Sequence, residues 1–117
     1  ELAAREIPLT ILSNKPHAFT VKCAEHYLSQ WPFRLVLGQR DATPRKPDPA
    51  GALEIAEALN VAAAACLYVG DSSVDMRTAV AAGMFPLGVA WGFRSREELI
   101  EHGARRVIEH PLELLTV

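Results

Sequence analysis

Ala65-Cys-Leu-Tyr-Val69 followed by Gly-Asp-Ser-Ser-Val-Asp-Met at 70–76 is a buried-type strand that breaks at a glycine and runs straight into a helix. Ser72 or Ser73 can cap that helix, and Gly83 suits the left-handed residue that closes it. Working outward, apolar runs of strand length recur at Ile7 to Leu12, Arg34 to Leu37, Pro86 to Trp91 and Arg105 to Ile108. Segments of helical periodicity separate them. Phe19, Cys23 and Tyr27 fall four apart on one face of the first, which Pro32 closes after Trp31. In the second, Asp48 caps, Pro49 takes the first position, Leu53, Ala56 and Leu59 share a side, and Asn60 stops the helix. Ser95 with Glu98 fits a capping box for a short fourth helix, and Pro111 starts a last turn at Leu112 to Leu115. Strands alternating with helices predict an α/β fold of the three-layer, Rossmann-like kind, a parallel sheet with helices on both faces.

The chain has 117 residues, half of them apolar and 22% charged, enough for the core of one domain and no second. Twelve Lys and Arg stand against fourteen Asp and Glu, a net charge of −2, and no basic stripe follows any helix. Nucleic acid is not the expected partner. No apolar run reaches the roughly 18 residues of a membrane span, so no membrane partner and a cytoplasmic location are expected. Cys23 and Cys66 lie apart in apolar segments and read as buried thiols. His17, His26, His102 and His110 lack metal-ligand spacing and read as surface or capping residues.

In an open parallel sheet, ligands bind beyond the carboxyl ends of the strands. Ser13 and Asn14 directly follow the first predicted strand, Lys46 lies in the Pro-rich loop after the second, and Gly70 and Asp71 follow the third. They share one edge. A hydroxyl and backbone amides for phosphoryl oxygens, an ammonium for their charge, and Asp71 braced by Asp75 for a hard cation make a phosphate and magnesium site. Each residue also has a structural alternative. Ser-Asn is common turn chemistry, Lys46 can be a solvated loop residue, and Asp71 and Asp75 can be a cap and a first-turn acid.

The order of the strings adds to this. Leu-Ser-Asn-Lys-Pro at 12–16, Arg-Lys-Pro-Asp-Pro at 45–49 and Val-Gly-Asp-Ser-Ser-Val-Asp-Met at 69–76 resemble, in sequence order, the second, third and fourth motifs of the haloacid dehalogenase superfamily. Leu-Gly-Val-Ala-Trp-Gly-Phe at 87–93, then Glu98 and Leu99, resembles its phosphoglycolate phosphatase branch. The resemblance implies that residues 1–117 are the carboxyl-terminal portion of such a core domain, acting with Mg2+ on a small phosphorylated metabolite. It implies that Ser13 and the Asn14 amide hold the phosphoryl group, Lys46 neutralises it, and Asp71 binds magnesium with Asp75 in support. The acidic turn at 70–75 favours a magnesium enzyme over the metal-free dehalogenases, while phosphomutase and phosphonatase chemistries stay open.

The first motif of the family, Asp-x-Asp-x-Thr or Asp-x-Asp-x-Val after an apolar strand, does not occur in the sequence. Asp41 and Asp48, in the Pro-rich loop, are poor substitutes. The chain starts Glu-Leu-Ala-Ala-Arg-Glu without Met, so the expectation is that the nucleophile and the cap lie upstream and that this chain alone does not turn over. The family places the strand of that motif between the strands predicted at 7–12 and 65–69, which implies an incomplete sheet with a slot. Self-association or pairing with the amino-terminal part would fill it. The competing reading is a non-catalytic phosphate- and magnesium-binding or assembly module. A nucleotide-binding domain is weaker, for the sequence has neither Gly-x-Gly-x-x-Gly nor Gly-x-x-x-x-Gly-Lys.

Overall fold

The computed structural model describes residues 7–28, 33–40, 44–91 and 95–116. In chain order they form β1 (Leu9–Pro16), α1 (His17–Leu28), β2 (Phe33–Gln39), α2 (Ala50–Ala58), β3 (Leu67–Gly70), α3 (Ser73–Ala82), β4 (Phe85–Val89), α4 (Arg96–Glu101) and β5 (Arg106–Ile108), with 3-10 turns at Ala63–Ala65 and Pro111–Thr116. Every strand pairing is parallel, and the sheet is in two pieces, β1–β2 and β3–β4–β5. The fold is α/β, and the sheet is incomplete as expected. No helix among the described residues is long and apolar enough to cross a membrane.

Local chemistry explains where the helices start and stop. The Ser72 hydroxyl accepts from the Asp75 amide, and Gly83 closes α3 at φ 74°. The Ser95 hydroxyl accepts from the Glu98 amide at the start of α4. The α2 helix begins one residue later than predicted, at Ala50, but Asp48 still caps it by accepting from the Ala50 amide at 2.9 Å. It ends before Asn60, whose φ of 55° lies in the left-handed region that asparagine tolerates.

The core is built on α3 and β4. Met76, Ala79, Leu87, Leu99 and Ile108 are fully buried. The α2 and α3 helices pack through small residues, Ala52 and Ala56 against Ala79 and Ala82, with Met84 beside them. Leu114 of the last turn covers Leu87, Val89 and Ile108.

Three expectations about side-chain placement are corrected. Phe19 is 52% exposed rather than turned to the sheet, because Thr20 occupies the buried position at the start of α1 and donates to the carbonyls of Lys15 and Pro16. The Phe19 ring instead lies 5.5 Å from the Lys15 ammonium. Leu53 is exposed, and α2 buries Gly51, Ala52, Ile55 and Ala56, since close packing against the alanines of α3 favours small residues. Cys23 and Cys66 are free thiols but only partly buried, and desolvation raises the Cys66 pKa. Trp91 is half exposed. Pro32, Trp31, Asp41 and Phe93 and the side chain of Tyr27 lie outside the described residues. His110 accepts locally from the Leu112 amide, whereas His17 accepts from the amide of Gly38 on β2, 21 residues away.

Candidate active site

Ser13 and Asn14 do not follow β1 but belong to it: the strand runs on to Pro16, with a break in register between Leu12 and Pro16. Regular pairing ends at Leu12 opposite Leu37 and resumes at Pro16 opposite Gln39. The irregularity frees polar side chains at the carboxyl end of the strand, as bulges beside functional sites do. The Ser13 hydroxyl accepts from the Lys15 amide at 3.1 Å.

Asn14 reaches the loop after β2. Its side-chain oxygen accepts from the Lys46 amide at 2.9 Å, and its side-chain nitrogen donates to the Lys46 carbonyl at 3.3 Å. Both polar groups of the Lys46 backbone are thereby held from β1. The Asp48 amide closes a turn on the Arg45 carbonyl at 3.0 Å, with Lys46 and Pro47 between them. The Lys46 ammonium then donates to Asp75 at 2.8 Å.

The two side chains of this ion pair are 14% and 13% exposed. Shielding of that degree makes removal of one partner more costly than for a surface pair. Asp75 is held in turn by Ser72, whose hydroxyl donates to it at 3.1 Å, and by the Asp71 amide at 3.2 Å. Gly70 makes room for it: a Cβ there would stand 2.2 Å from the Asp75 Cβ. Burial pushes the Tyr68 phenol above its ordinary value, with the Asp75 charge adding to the effect, and its hydroxyl lies within reach of Asp75 and Thr78. From sequence Gly70 was placed on the edge of the site without a role of its own, and Tyr68 was not singled out.

The structure therefore brings Asn14, Lys46, Asp71 and Asp75 together through bonded contacts, and β1 supplies Ser13 next to Asn14. The carboxyl ends of β1 and β3 meet through Asn14, Lys46 and Asp75. Between them lies a cavity of about 760 Å3, walled by Leu9, Thr10 and Leu12 on one side and by Leu67 and Val69 on the other, with Lys46, Asp71 and Asp75 also lining it.

Asp71 is exposed and Asp75 is engaged by Lys46. No group of three or more His, Cys, Asp or Glu side chains placed to hold a metal occurs among the described residues. One accessible carboxylate with a second braced behind it fits a cation that keeps most of its water, as magnesium does.

Comparison with known proteins places these observations in a family. The family model for haloacid dehalogenase-like hydrolases matches residues 1–89. The chain is 34% identical over 98 residues to phosphoglycolate phosphatase of Escherichia coli K12, covering 84% of this chain and 39% of that protein. It is 37% identical over 108 residues to phosphoglycolate phosphatase of Rhodospirillum rubrum, covering 92% and 44%. A crystal structure from Lactobacillus delbrueckii subsp. bulgaricus, of a protein put forward as a phosphoglycolate phosphatase, superposes with a TM-score of 0.90 at 33% identity, covering 97% of this chain and 47% of that one. The chain thus spans less than half the length of these curated relatives.

Proposed function

The chain belongs to the haloacid dehalogenase-like hydrolases, and from that premise we propose that it is the carboxyl-terminal part of the core domain of a magnesium-dependent phosphomonoester hydrolase acting on a small organic phosphate of the phosphoglycolate kind. The reaction passes through an aspartyl-phosphate whose nucleophile lies on a segment outside these 117 residues. The observation that carries the reading is Lys46, its backbone held by Asn14 and its ammonium by Asp75, beside Asp71 at the carboxyl ends of the strands.

Each residue has a role that its chemistry can fill. The Ser13 hydroxyl and the Asn14 backbone amide bind phosphoryl oxygens, and the Asn14 side chain sets where Lys46 stands. An ammonium has three donors, of which the Asp75 bond uses one, so Lys46 can neutralise a phosphoryl group while staying anchored. Asp71 holds the magnesium and Asp75 supports it from behind. The metal, when bound, supplies positive charge that offsets charge building on the phosphoryl oxygens. Holding that charge in fixed positions is the main catalytic need of phosphoryl transfer.

The test is phosphate release by the complete gene product with and without Mg2+. Asp71→Asn should weaken magnesium dependence and collapse turnover, and Lys46→Ala should lower the rate with the fold intact. Unchanged kinetics in either variant would remove that residue from the site. Binding of magnesium and phosphate without any turnover would replace this reading with the non-catalytic module.

A further inference from the structure

Lys15 stands beside the site with no part in the chemistry described so far. It follows Ser13 and Asn14 in β1, and both of its backbone groups are tied down. Its amide donates to the Ser13 hydroxyl at 3.1 Å, and its carbonyl accepts from the Thr20 hydroxyl at 3.2 Å. Gly38 of β2 packs against the same carbonyl, so closely that a Cβ there would stand 2.7 Å from it. The side chain, by contrast, is exposed, and its ammonium sits over the Phe19 ring, 5.5 Å from the centroid. Phe19 is half exposed as well. Among the described residues no carboxylate forms an ion pair with Lys15. A ring face steadies a cation without neutralising it, so the three N–H donors and the charge stay available to an anion arriving from outside.

We propose that Lys15 is a specificity-determining residue, whose ammonium binds a carboxylate on the leaving part of the phosphate ester while Ser13 and Asn14 hold the phosphoryl group. The inference rests on the phosphatase reading and deepens it, by naming what the substrate carries besides its phosphate. Spacing supports it. Residues 13 and 15 are two steps apart along an extended strand, about 6.6 Å at about 3.3 Å per residue. That is the scale on which a short phospho-acid separates its two charged ends, with the short serine meeting one and the long lysine reaching for the other. The two lysines of the site then have separate work. Lys46 is anchored to Asp75 and serves the phosphoryl group, whereas Lys15 has only a ring beside it and serves the distal charge. Its bound backbone and the Phe19 ring restrict the ammonium before any ligand arrives, which lowers the entropy lost on binding. An ester without a carboxylate leaves this cation in water and gains nothing from it.

The test compares kcat/KM of the complete gene product on phosphoglycolate and on ethyl phosphate, an ester with the same number of carbons and no carboxylate. Lys15→Met removes the charge and keeps an unbranched side chain. It should lower kcat/KM on phosphoglycolate roughly tenfold, mainly through KM, and shrink the preference for phosphoglycolate over ethyl phosphate by a similar factor. Lys15→Arg should restore most of that preference. Phe19→Leu, which takes away the ring under the ammonium, should reduce it by a smaller factor, about twofold to threefold. Equal losses on the two substrates would overturn the proposal, because Lys15 would then serve the phosphoryl group or the fold. So would a preference unchanged in Lys15→Met, or an Arg variant no better than the Met one. In each of these cases release of phosphate by the unaltered protein leaves the phosphatase reading standing. Release from neither substrate would sink that reading and the role of Lys15 together.

Discussion

Gly70→Ala tests the packing under the site with one added methyl. Its Cβ would stand 2.2 Å from the Asp75 Cβ, 2.7 Å from Cγ and 2.8 Å from Oδ2, where carbon contacts normally settle at about 3.5–4.0 Å. Either the first turn of α3 moves away from β3 or the Asp75 side chain leaves its position. Overpacking of this kind costs about 1–3 kcal/mol. Displacing Asp75 also strands a largely shielded Lys46 ammonium, which adds to the loss, though less than the roughly 3–5 kcal/mol of a fully buried pair. A total of about 2–4 kcal/mol is a large part of the ~5–15 kcal/mol that a domain has to lose. The unfolding midpoint should fall by roughly 8–16 °C. Thermal and urea unfolding by circular dichroism would measure it, in a double-mutant cycle with Asp75→Gly, which removes all three contact atoms. In that background Gly70→Ala should cost less than about 1 kcal/mol, since the atoms it would meet are gone. An equal cost in both backgrounds would show that the glycine is needed for something other than the aspartate.

Asn14→Ala deletes both bonds to the Lys46 backbone, at 2.9 and 3.3 Å, and should cost about 1–2 kcal/mol while raising amide exchange across residues 44–48, as read by mass spectrometry. Asp75→Asn keeps the shape but not the charge opposite Lys46, and urea midpoints should report a loss of about 1–2 kcal/mol that Asp75→Asn with Lys46→Met partly recovers. The Arg40 guanidinium donates two bonds to Glu54, at 3.0 and 2.7 Å, and holds its carboxyl below the ordinary value of 4.5. A depressed carboxyl stabilises the fold above its unfolded-state value and loses that contribution as pH falls through its folded value. Glu54→Gln should therefore flatten the acid limb of the stability profile without changing stability near pH 7 by more than a surface pair does.

Features set by nearest neighbours in sequence were legible without a structure. Ser72 and Gly83 bracket α3 because a cap and a left-handed closing residue act within one turn, and neither depends on what α3 packs against. The end of β1 was not legible. Ser13 to Pro16 has little strand propensity, yet the strand continues across it to a last pairing of Pro16 with Gln39. The exposed faces of α1 and α2 were misread for a related reason: periodicity gives the spacing of a stripe but not which stripe meets a neighbour, and Thr20 and Ala52 win the contact over the larger Phe19 and Leu53. Lys46, Asp71 and Asp75 were singled out by their order along the chain, whereas Asn14 holding Lys46 across 32 residues had no local signal. Asn14 was expected to act through its backbone amide, and its side chain proves to carry the structural contact.

The chain of contacts through the site also joins the two pieces of the sheet. Lys46 is fastened to β1 by Asn14, and Asp75 is fastened to the end of β3 by the Asp71 amide and its seat on Gly70, so their 2.8 Å bond bridges one half of the molecule to the other. It behaves as a caliper whose jaws are the two strand edges. The same ion pair that presents charge beside Asp71 is thus also a cross-tie between the two pieces of the sheet.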